Sequence, residues 1–399
     1  MSVPRPSIFV AVFVCILLVL GSLVQLAAID LVLPAVPSLP EAVGGDAAAA
    51  QLVVAVYVAG TALGLLLFGA AGAVVGRRRL LVGSAVSLGA VSFAAAAADT
   101  MAALIAWRFV QGLLAAAPTV YAPGMIRLLF SETGATRAIG AFSSIESLAP
   151  AIAPIIGVWL LGLGGWRLSF QVTGAAALVL AALLLLFYRL LPATPPSCVT
   201  RSGSYLRLLR SPTYLRYALS QAFVLGGLLI FVFGAPVVIV RTLGGSLNDF
   251  IVMQVVGIAC FILASNLSGW FVERVGAERM IGIGTGLAAL AGGALLLHAL
   301  LGGRQPWMLV ILFAPLNAGL GLRGPPGFLR AIIAGSGDDD RAASLMILAI
   351  LGTAAAGTAL LAPVILHGLP VLCAAVAAVE LVAVALLMAV KPLPDSKQA

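Results

Sequence analysis

Five ionisable residues lie inside otherwise apolar stretches of this chain, and they are its first candidates for chemistry. They are three carboxylic acids and two arginines: Asp30, Glu146, Glu380, Arg108 and Arg323. A lone charge at the centre of a bilayer costs at least about 2.5–3.5 kcal/mol, so such groups face a partner or a water-filled cavity. Carboxyl groups exchange protons, whereas arginine stays charged in essentially any protein site. The pattern indicates proton binding and charge pairing rather than covalent catalysis.

Asp30 and Arg108 are predicted to face each other. Arg108 lies seven residues after Met101, where its apolar stretch begins, which places it about 10 Å into the stretch. If the first helix ends near Ser38, Asp30 lies eight residues back, at about 12 Å. A carboxylate beside an arginine stays ionised, and it takes up a proton when it is separated from that arginine in an apolar site. The alternative is a static structural ion pair.

Glu146 and Arg323 each have more than one interpretation. Glu146 shares a helix face with Pro150 and Pro154 through four-residue steps, and it is either a proton or substrate site or a locally bonded carboxyl. Arg323 precedes a Gly-Pro-Pro sequence that breaks its helix. It contacts an anionic substrate, gates the inner side, or binds backbone carbonyls that the prolines leave free.

The elements that carry these residues follow from composition. Of the 399 residues, 62% are hydrophobic and 9% are charged, and the mean hydropathy is +1.17. An ordinary soluble domain is about 45–50% apolar and about 25% charged. The apolar runs also lack the alternation of a membrane β-barrel. The composition therefore predicts an all-α integral membrane protein.

Glycine, proline and charged residues divide the chain into twelve predicted transmembrane helices, since a bilayer needs about 20 residues for each. Their predicted ranges are 8–38, 48–74, 80–98, 101–128, 138–162, 168–191, 215–240, 250–272, 280–300, 306–330, 342–366 and 369–390. They form two six-helix bundles, an N-terminal one in 1–192 and a C-terminal one in 215–399, joined by a cytoplasmic linker at 193–214.

The arginines and lysines orient these helices. Seventeen of the 22 fall on the side that holds both termini, and three fall in the opposite loops. The positive-inside rule places both termini in the cytoplasm. The same topology explains the net charge of +8 better than nucleic-acid binding does. The sequence contains no metal spacing, nucleotide loop or catalytic triad, so we expect no metal, no cofactor and no enzyme.

The two bundles repeat each other in sequence. Gly69, Gly76 and Arg79 recur as Gly269, Gly276 and Arg279 at an offset of 200 residues. The segments Pro123-Gly-Met-Ile-Arg127 and Pro326-Gly-Phe-Leu-Arg330 recur at an offset of 203. Six spans in each half make this a parallel repeat about an axis along the membrane normal, which predicts a cavity between the halves near the midplane.

Four stretches carry a resemblance to a known family. They are Asp30-Leu-Val-Leu-Pro34-Ala-Val-Pro37, the run from Gly69 to Arg79, Arg108-Phe-Val-Gln111-Gly112, and the run from Ala149 to Gly157 with Gly165-Trp166-Arg167 beyond it. They resemble motifs of the major facilitator superfamily (MFS), and more narrowly of its twelve-span drug:proton antiporters of the Bcr/CflA or chloramphenicol-exporter type. The resemblance covers essentially the whole chain. It implies the MFS fold and a peripheral last helix, where we expect Glu380 to serve packing or a dimer contact.

The loop motif departs from the family pattern in the first bundle. Its acidic position is Ala73 and the following arginine is Val74, whereas the second copy keeps Glu273 and Arg274. In the family, the acid at this place pairs with a cation and helps to close the inner side. We therefore expect the gating to be skewed or faster at the inner face. The residues assigned to gating are Gly69, Gly76, Arg77, Glu273, Arg274, Pro150, Pro154 and Gly157.

The resemblance also implies what the chain does. We expect a secondary active transporter in a cell inner membrane that exports a small apolar or cationic compound in exchange for protons by alternating access. Proton coupling is assigned to Asp30, Arg108 and Glu146. The candidates for the substrate cavity are polar, aromatic or charged residues within spans: Gln25, Tyr57, Gln111, Tyr121, Phe231, Phe233, Gln254, Asn317 and Arg323.

Two alternatives stay open. The first is a transporter of a specific metabolite or siderophore, anionic compounds included, that uses Arg108 and Arg323. The second is a non-transporting receptor or scaffold on the same fold, which the missing acid at Ala73 slightly favours. The expected partners are a small-molecule substrate, protons and the lipid bilayer, with no nucleic acid, and we expect a monomer.

Overall fold

A computed structural model describes residues 7–193 and 204–393 of the protein. In these ranges the chain folds into α-helices joined by short turns, with no β-strand, which confirms the all-α prediction. Part of the predicted linker, residues 194–203, lies outside the described residues. The same holds for Arg5, Arg201 and Lys397, which were used in the orientation argument.

Fourteen α-helices are present in the described part of the chain. In order they are α1 Ile8–Asp30, α2 Leu39–Val43, α3 Ala47–Val75, α4 Arg77–Ala96, α5 Met101–Leu129, α6 Glu132–Glu146, α7 Ala149–Leu186, α8 Tyr205–Leu209, α9 Pro212–Val237, α10 Leu247–Val275, α11 Ala277–Leu300, α12 Pro306–Ala334, α13 Asp339–Leu361 and α14 Leu369–Ala389. Tighter 3-10 turns follow α1 and α13 at Leu33–Ser38 and Ala362–His367, and a π-helical turn follows α9 at Val238–Thr242.

Eleven helical stretches within the described ranges are long and apolar enough to cross a membrane. One of them, Ile155–Leu186, belongs to α7, which bends at Gly164 and Gly165 where both residues leave the helical conformation. Gly165 has a φ of +70°, in the left-handed region that favours glycine. The arm of α7 after this bend lies in the sixth predicted span, whereas the fifth, predicted over 138–162, is divided between the end of α6 and the first arm of α7. By length and composition the described ranges therefore contain eleven such stretches against the predicted twelve.

The first span differs from its prediction at its end. The sequence predicts one helix to residue 38, but α1 ends at Asp30 and the chain continues as a 3-10 turn from Leu33 to Ser38. Pro34 explains the change, because proline has no amide hydrogen for the carbonyl four residues earlier, which is that of Asp30. Asp30 therefore lies at a helix terminus rather than inside a continuous helix.

The sequence repeat is also a repeat of backbone conformation. Gly76 separates α3 from α4 with a φ of +96°, and Gly276 separates α10 from α11 with a φ of +89°. A side chain at either position would strain the backbone, since residues with a Cβ rarely adopt such angles. The tight turn between consecutive spans therefore requires a glycine in both copies.

The chain forms two compact units. In the described ranges, the first contains the residues up to Phe130 and those from Ile145 to Ala193. The second contains Ser131–Ser144 and the residues from Ser204 to Leu393. The segment 131–144, which is most of α6, thus packs with the second unit, although it precedes α7 of the first.

Both units use the same helix pairings. In the first, α3 packs on α5 and α4 packs on α7, and in the second, α10 packs on α12 and α11 packs on α14. Glycines allow these helices to approach backbone to backbone. A Cβ on Gly112 would overlap the carbonyl oxygen of Tyr57, and one on Gly319 would lie 2.6 Å from the carbonyl oxygen of Gly284. Small residues at helix contacts are typical of membrane proteins.

Candidate functional site

Arg108 is the centre of a buried polar cluster in the first unit. Its side chain on α5 is 0% exposed. Nε donates to the carbonyl of Val53 on α3 at 3.0 Å, and Nη1 donates to the carbonyl of Ala28 on α1 at 2.9 Å. The guanidinium also lies over the ring of Tyr57, 4.3 Å from its centroid, in cation–π geometry. The arginine thus ties three helices together through backbone acceptors.

Asp30 does not pair with Arg108. The arginine donates to the carbonyl of Ala28 on α1, two residues before Asp30. Arg108 and Asp30 therefore lie at similar depth, as predicted, but without an ion pair. No ion pair between the two is present in the described part of the chain. Asp30 is buried at the end of α1, and it acts electrostatically on Tyr57, as Arg108 does. The two charges therefore share Tyr57 as a neighbour.

The polar residues around Arg108 form hydrogen bonds with other groups of the protein. Gln111 accepts from Arg108 Nη1 at 3.3 Å and donates to Ser92 Oγ at 2.8 Å. The Tyr57 hydroxyl donates to the carbonyl of Gln25 at 3.0 Å. The hydroxyl of Thr119 donates to the amide oxygen of Gln25. These bonds use most of the hydrogen-bonding capacity of the predicted cavity residues in this unit.

Tyr121 and Glu146 lie apart from that cluster. Tyr121 is fully buried, and its hydroxyl donates to the carbonyl of Phe68 at 2.7 Å. Glu146 ends α6, and Ser22 on α1 acts on its carboxyl without a hydrogen bond of normal geometry, since the Ser22 hydroxyl has no such partner in the described ranges. Ser22 was not recognised in the sequence, because a serine in an apolar helix carries no signal of its partner. Glu146 and Asp30 are thus two separate acidic positions in the first unit.

Arg323 is the corresponding buried arginine of the second unit. Its side chain on α12 is 0% exposed, and Nη1 donates to the carbonyl of Ser220 on α9. Nη2 donates to the Ser220 hydroxyl at 3.2 Å. The sequence left open a contact with carbonyls freed by the following prolines, but the bonded carbonyl belongs to a neighbouring helix. Glu380, expected at the periphery, is likewise fully buried, and it acts electrostatically on Arg323.

The remaining predicted cavity residues of the second unit differ in exposure. Phe231 is fully buried and stacks on Phe313, with ring centroids 5.0 Å apart, so it belongs to the packed interior of this unit. Asn317 is buried, and its amide donates to the carbonyl of Phe313 at 3.1 Å. Phe233 is exposed and Gln254 is partly exposed. Only these last two side chains present a free surface.

An ion pair at the end of α10 involves a residue that the sequence analysis did not select. Glu273 Oε2 lies 2.6 Å from Nη2 of Arg137 on α6. Its neighbour Arg274 lies over the ring of Trp270, 3.4 Å from the centroid. A second pair, Arg330 Nε with Glu132 Oε1 at 2.9 Å, joins α12 to the start of α6. Both pairs hold α6 to the second unit.

The first unit lacks the acid of this motif. Ala73 and Val74 stand at the end of α3 where the second copy has Glu273 and Arg274, and Val74 is 85% exposed. Arg77 is buried at the start of α4. The loop motif is therefore intact in backbone conformation in both units but has its acid in only one.

The other predicted gating residues are helical. Gly69 is buried within α3, and Pro150 and Pro154 lie in the first two turns of α7. Gly157 allows α7 to approach the end of the first span, since a Cβ there would lie 2.6 Å from the carbonyl oxygen of Leu31. A bulkier residue at 157 would separate the two segments.

A short helix docks on the second unit just before its first span. Arg207 of α8 lies 3.7 Å from Asp338, and Arg341 lies over the ring of Tyr205 at 5.7 Å from its centroid. Burial raises the pKa of Tyr205 to about 12, while the nearby Arg341 acts in the opposite direction. The segment from Ser204 to Leu209 is thus held by charge and ring contacts.

Two helical units built from apolar spans with buried arginines define a polytopic membrane protein. In the described ranges, no group of three His, Cys, Asp or Glu side chains is arranged to hold a metal ion. A family model described as Major Facilitator Superfamily matches residues 18–331. The chain belongs to this superfamily, whose members are membrane transporters of small molecules and not enzymes.

Relatives with printed functions include drug-resistance proteins. The bicyclomycin resistance protein homolog of Haemophilus influenzae is 29% identical over 249 residues, which is 61% of this chain and 62% of that protein. The chloramphenicol resistance protein of Pseudomonas aeruginosa is 26% identical over 275 residues, 67% of this chain and 64% of that protein. The matches thus span a little under two thirds of both relatives. They confirm the resemblance to the drug:proton antiporter type.

A solved structure confirms the fold. The proton:xylose symporter XylE superposes with a TM-score of 0.76, covering 97% of this chain and 96% of that one. Its sequence identity is 14%, so the likeness concerns the fold alone.

Proposed function

We propose that the protein is a proton-coupled exporter of small apolar or cationic compounds that works by alternating access. The observation that carries the proposal is the pair of carboxyl groups in the first unit, Asp30 at the end of α1 and Glu146 at the end of α6. Neither forms an ion pair in the described part of the chain. Ionisable residues within membrane spans are rare, and acids among them are typical proton carriers in pumps and transporters.

The chemistry of Arg108 supports a neutral or cationic substrate over an anionic one. Its guanidinium donates to two backbone carbonyls and to Gln111, and it stacks on Tyr57. An arginine that binds a substrate carboxylate presents its planar fork to the ligand. Here that fork is largely occupied by the protein itself.

The names of the relatives support the direction of transport. Resistance to bicyclomycin or chloramphenicol in those proteins is the kind of activity that export provides, and this chain shares their family and type. The excess of basic residues on one side supports an inner-membrane location with both termini in the cytoplasm. We further propose that the protein acts as a monomer and that residues 193–214 form a cytoplasmic linker between bundles at 1–192 and 215–399.

The test is flux in proteoliposomes made from purified protein. A pH-sensitive dye in the lumen reports proton movement while a panel of cationic, neutral and anionic compounds is added outside. We expect cationic or neutral compounds to discharge an acidic lumen and to accumulate there. Asp30→Asn provides the control, since it removes one proton carrier while changing few atoms.

The two alternative functions give different results in the same assay. A transporter of an anionic metabolite would move protons only with anionic compounds. A receptor or scaffold would give no flux with any compound, although ligands would still raise its thermal stability, with the logarithm of their concentration over Kd. Either result would overturn the proposal.

A further inference from the structure

A second set of buried ionisable groups lies inside the second unit, and the proposed function does not use it. Glu380 on α14 is 0% exposed, and neither of its carboxyl oxygens has a hydrogen-bond partner in the described ranges. The same holds for Nε of Arg323 on α12 and for the amide oxygen of Gln221 on α9. Helices α9, α12 and α14 thus each carry a buried polar atom without a hydrogen bond in the described ranges: acceptors on α9 and α14, and a donor on α12.

Glu380 lies deep in the apolar region. It is eleven residues from the start of α14 and nine from its end, so about 14–16 Å of helix separates it from either terminus. A carboxylate at such a depth is costly unless it is neutralised by a proton or a cation. Snorkelling to either surface is beyond the reach of a glutamate side chain. The group must therefore be neutral or compensated from within the unit.

Glycines make room for this carboxyl group. A Cβ on Gly227 of α9 would lie 3.0 Å from Glu380 Oε1, and one on Gly292 of α11 would lie 3.7 Å from its Cγ. Any larger residue at 227 would press on the carboxyl oxygen itself. Helices α9 and α11 both pack on α14, so the acid occupies a space built by two neighbouring helices.

One cation acts on this acid. Arg323 attracts Glu380 electrostatically, and Arg216 of α9 acts in turn on Arg323. The other titratable side chains on the helices and the turn that pack against α14 lie near the ends of their elements, away from the position of Glu380. They are Tyr214, Tyr217, Glu278, Arg279, His298, Asp339, Asp340, Arg341 and His367. Cys373 lies on α14 itself, seven residues away.

A line of polar contacts runs from Arg323 to one end of the unit. At the start of α11, Glu278 accepts from Arg216 at 2.9 Å and from the hydroxyl of Tyr217. One turn further along α9, Ser220 donates to the carbonyl of Tyr217 at 3.2 Å and contacts Arg323. None of these contacts reaches the carboxyl oxygens of Glu380, which have no hydrogen-bond partner in the described ranges. The line begins at the end of the unit where Glu278 is partly exposed.

We propose that Glu380 is a second proton-binding site. Its carboxylate takes up a proton when Arg323 does not compensate the negative charge, and it releases the proton when Arg323 compensates that charge. Binding of this proton is a property of the second unit alone. Its consequence for transport, an additional proton in the cycle, rests on the proposed function.

The test is infrared spectroscopy of the purified full-length protein. Difference spectra recorded as the pH is stepped across the range in which the protein stays folded show each protonated carboxyl as a separate carbonyl-stretch component. We expect Glu380→Gln to lose one component that Asp30→Asn and Glu146→Gln retain. If the difference spectra of Glu380→Gln and the wild type coincide, the acid does not titrate and the proposal is overturned.

Variants of the neighbours keep the proposal testable if Glu380→Gln does not fold. Arg323→Gln removes the cation that favours the ionised acid, so the component should persist to a pH higher by about one unit or more. Gly227→Ala should shift its frequency, because the new methyl group crowds Oε1. Gly293→Ala is the control, since a Cβ there meets open space. A component that responds equally to both alanines, or to neither, would contradict the assignment.

The two proposals fail separately. If flux is absent but the Glu380 component titrates, the proton site stands and the transport function does not. If Glu380→Gln leaves the infrared spectra unchanged while Asp30→Asn abolishes uphill export, the reverse holds. With both proposals correct, Glu380→Gln should lower the number of protons moved per substrate in the proteoliposome assay.

Discussion

Nη2 of Arg137 lies 2.6 Å from Oε2 of Glu273, and the stem of the same arginine covers Gly269, where a Cβ would overlap Arg137 Cγ. In the second unit the glycine and the acid of the loop motif both accommodate Arg137. Gly269 leaves room for its side chain, and Glu273 pairs with its guanidinium. The first unit has no such acid, because Ala73 occupies its place. Residues 131–144 of α6 belong to the second unit, and the chain from Ile145 onward belongs to the first. The contacts of Arg137 therefore hold the part of α6 that directly precedes this change of unit.

The two ion pairs of α6 should differ in strength. Arg137 and Glu273 are 52% and 40% exposed, and exposed pairs contribute only about 0–1 kcal/mol. Arg330 and Glu132 are much less exposed. Glu132→Gln should therefore destabilise the protein by about 2 kcal/mol, whereas Glu273→Gln should change stability little. Thermal unfolding of the purified variants in one detergent measures both, and equal losses would contradict this ranking.

Asp30→Asn should abolish proton-driven export while ligand binding stays measurable. Asparagine keeps the shape of the side chain but carries no exchangeable acidic proton. Glu146→Gln is the companion variant in the same unit. The measurement is accumulation of a transported compound against its gradient, alongside a binding assay. Accumulation that persists in Asp30→Asn but not in Glu146→Gln would assign the coupling to Glu146.

Arg108→Lys should cost about 3 kcal/mol of stability. Lysine keeps the charge but cannot reproduce the planar fork that bonds Val53 and Ala28 on two different helices. Arg79→Lys, at an exposed position, is the matched control and should be neutral. Arg108→Gln removes the charge, and at a temperature where this variant stays folded, transport should keep its wild-type pH profile. A profile displaced to higher pH in Arg108→Gln, with Arg108→Lys as stable as the wild type, would mean that the arginine tunes Asp30 rather than anchoring helices.

Gly112→Ala should disrupt the contact between α3 and α5. The new Cβ would overlap the carbonyl oxygen of Tyr57, and backbone atoms cannot move aside as a flexible side chain can. We expect a loss of about 2–3 kcal/mol. Gly83→Ala on α4 is the control, because a Cβ there meets nothing within 4 Å. Comparable unfolding temperatures for the two variants would show that the helices are not in such close contact.

Tyr205 should remain protonated in the folded protein well above pH 10. Burial raises its pKa to about 12, so between pH 10 and 12 the unfolded chain releases this proton while the folded protein keeps it. Stability should therefore fall as pH rises through that window, and it should fall less in Tyr205→Phe. Ultraviolet titration of the tyrosinate band, compared between the two proteins, reports the group directly. A Tyr205 phenol that ionises near pH 10, the ordinary value for tyrosine, would mean that α8 is not docked.

Much of the architecture followed from the sequence. Apolar runs of membrane-spanning length need no partner to be recognised, because their composition alone commits them to a bilayer. The glycines at 76 and 276 predicted equivalent turns, since a tight turn between spans needs a left-handed residue at the same place in each repeat. Buried charges at Asp30, Arg108, Glu146, Arg323 and Glu380 were also evident, as any ionisable residue is conspicuous in an apolar helix.

What those charges contact was decided only by the tertiary structure. Arg108 and Arg323 bond to backbone carbonyls of neighbouring helices, and a carbonyl is present at every residue, so no pattern identifies the acceptor. Helices that are apolar nearly all round do not show which face is inward. This is why Phe231, assigned to a cavity, packs on Phe313 in the interior, and why Glu380, expected at the periphery, is fully enclosed. The sequence determined which residues cross the membrane, and the packing of helix on helix determined which of them meet.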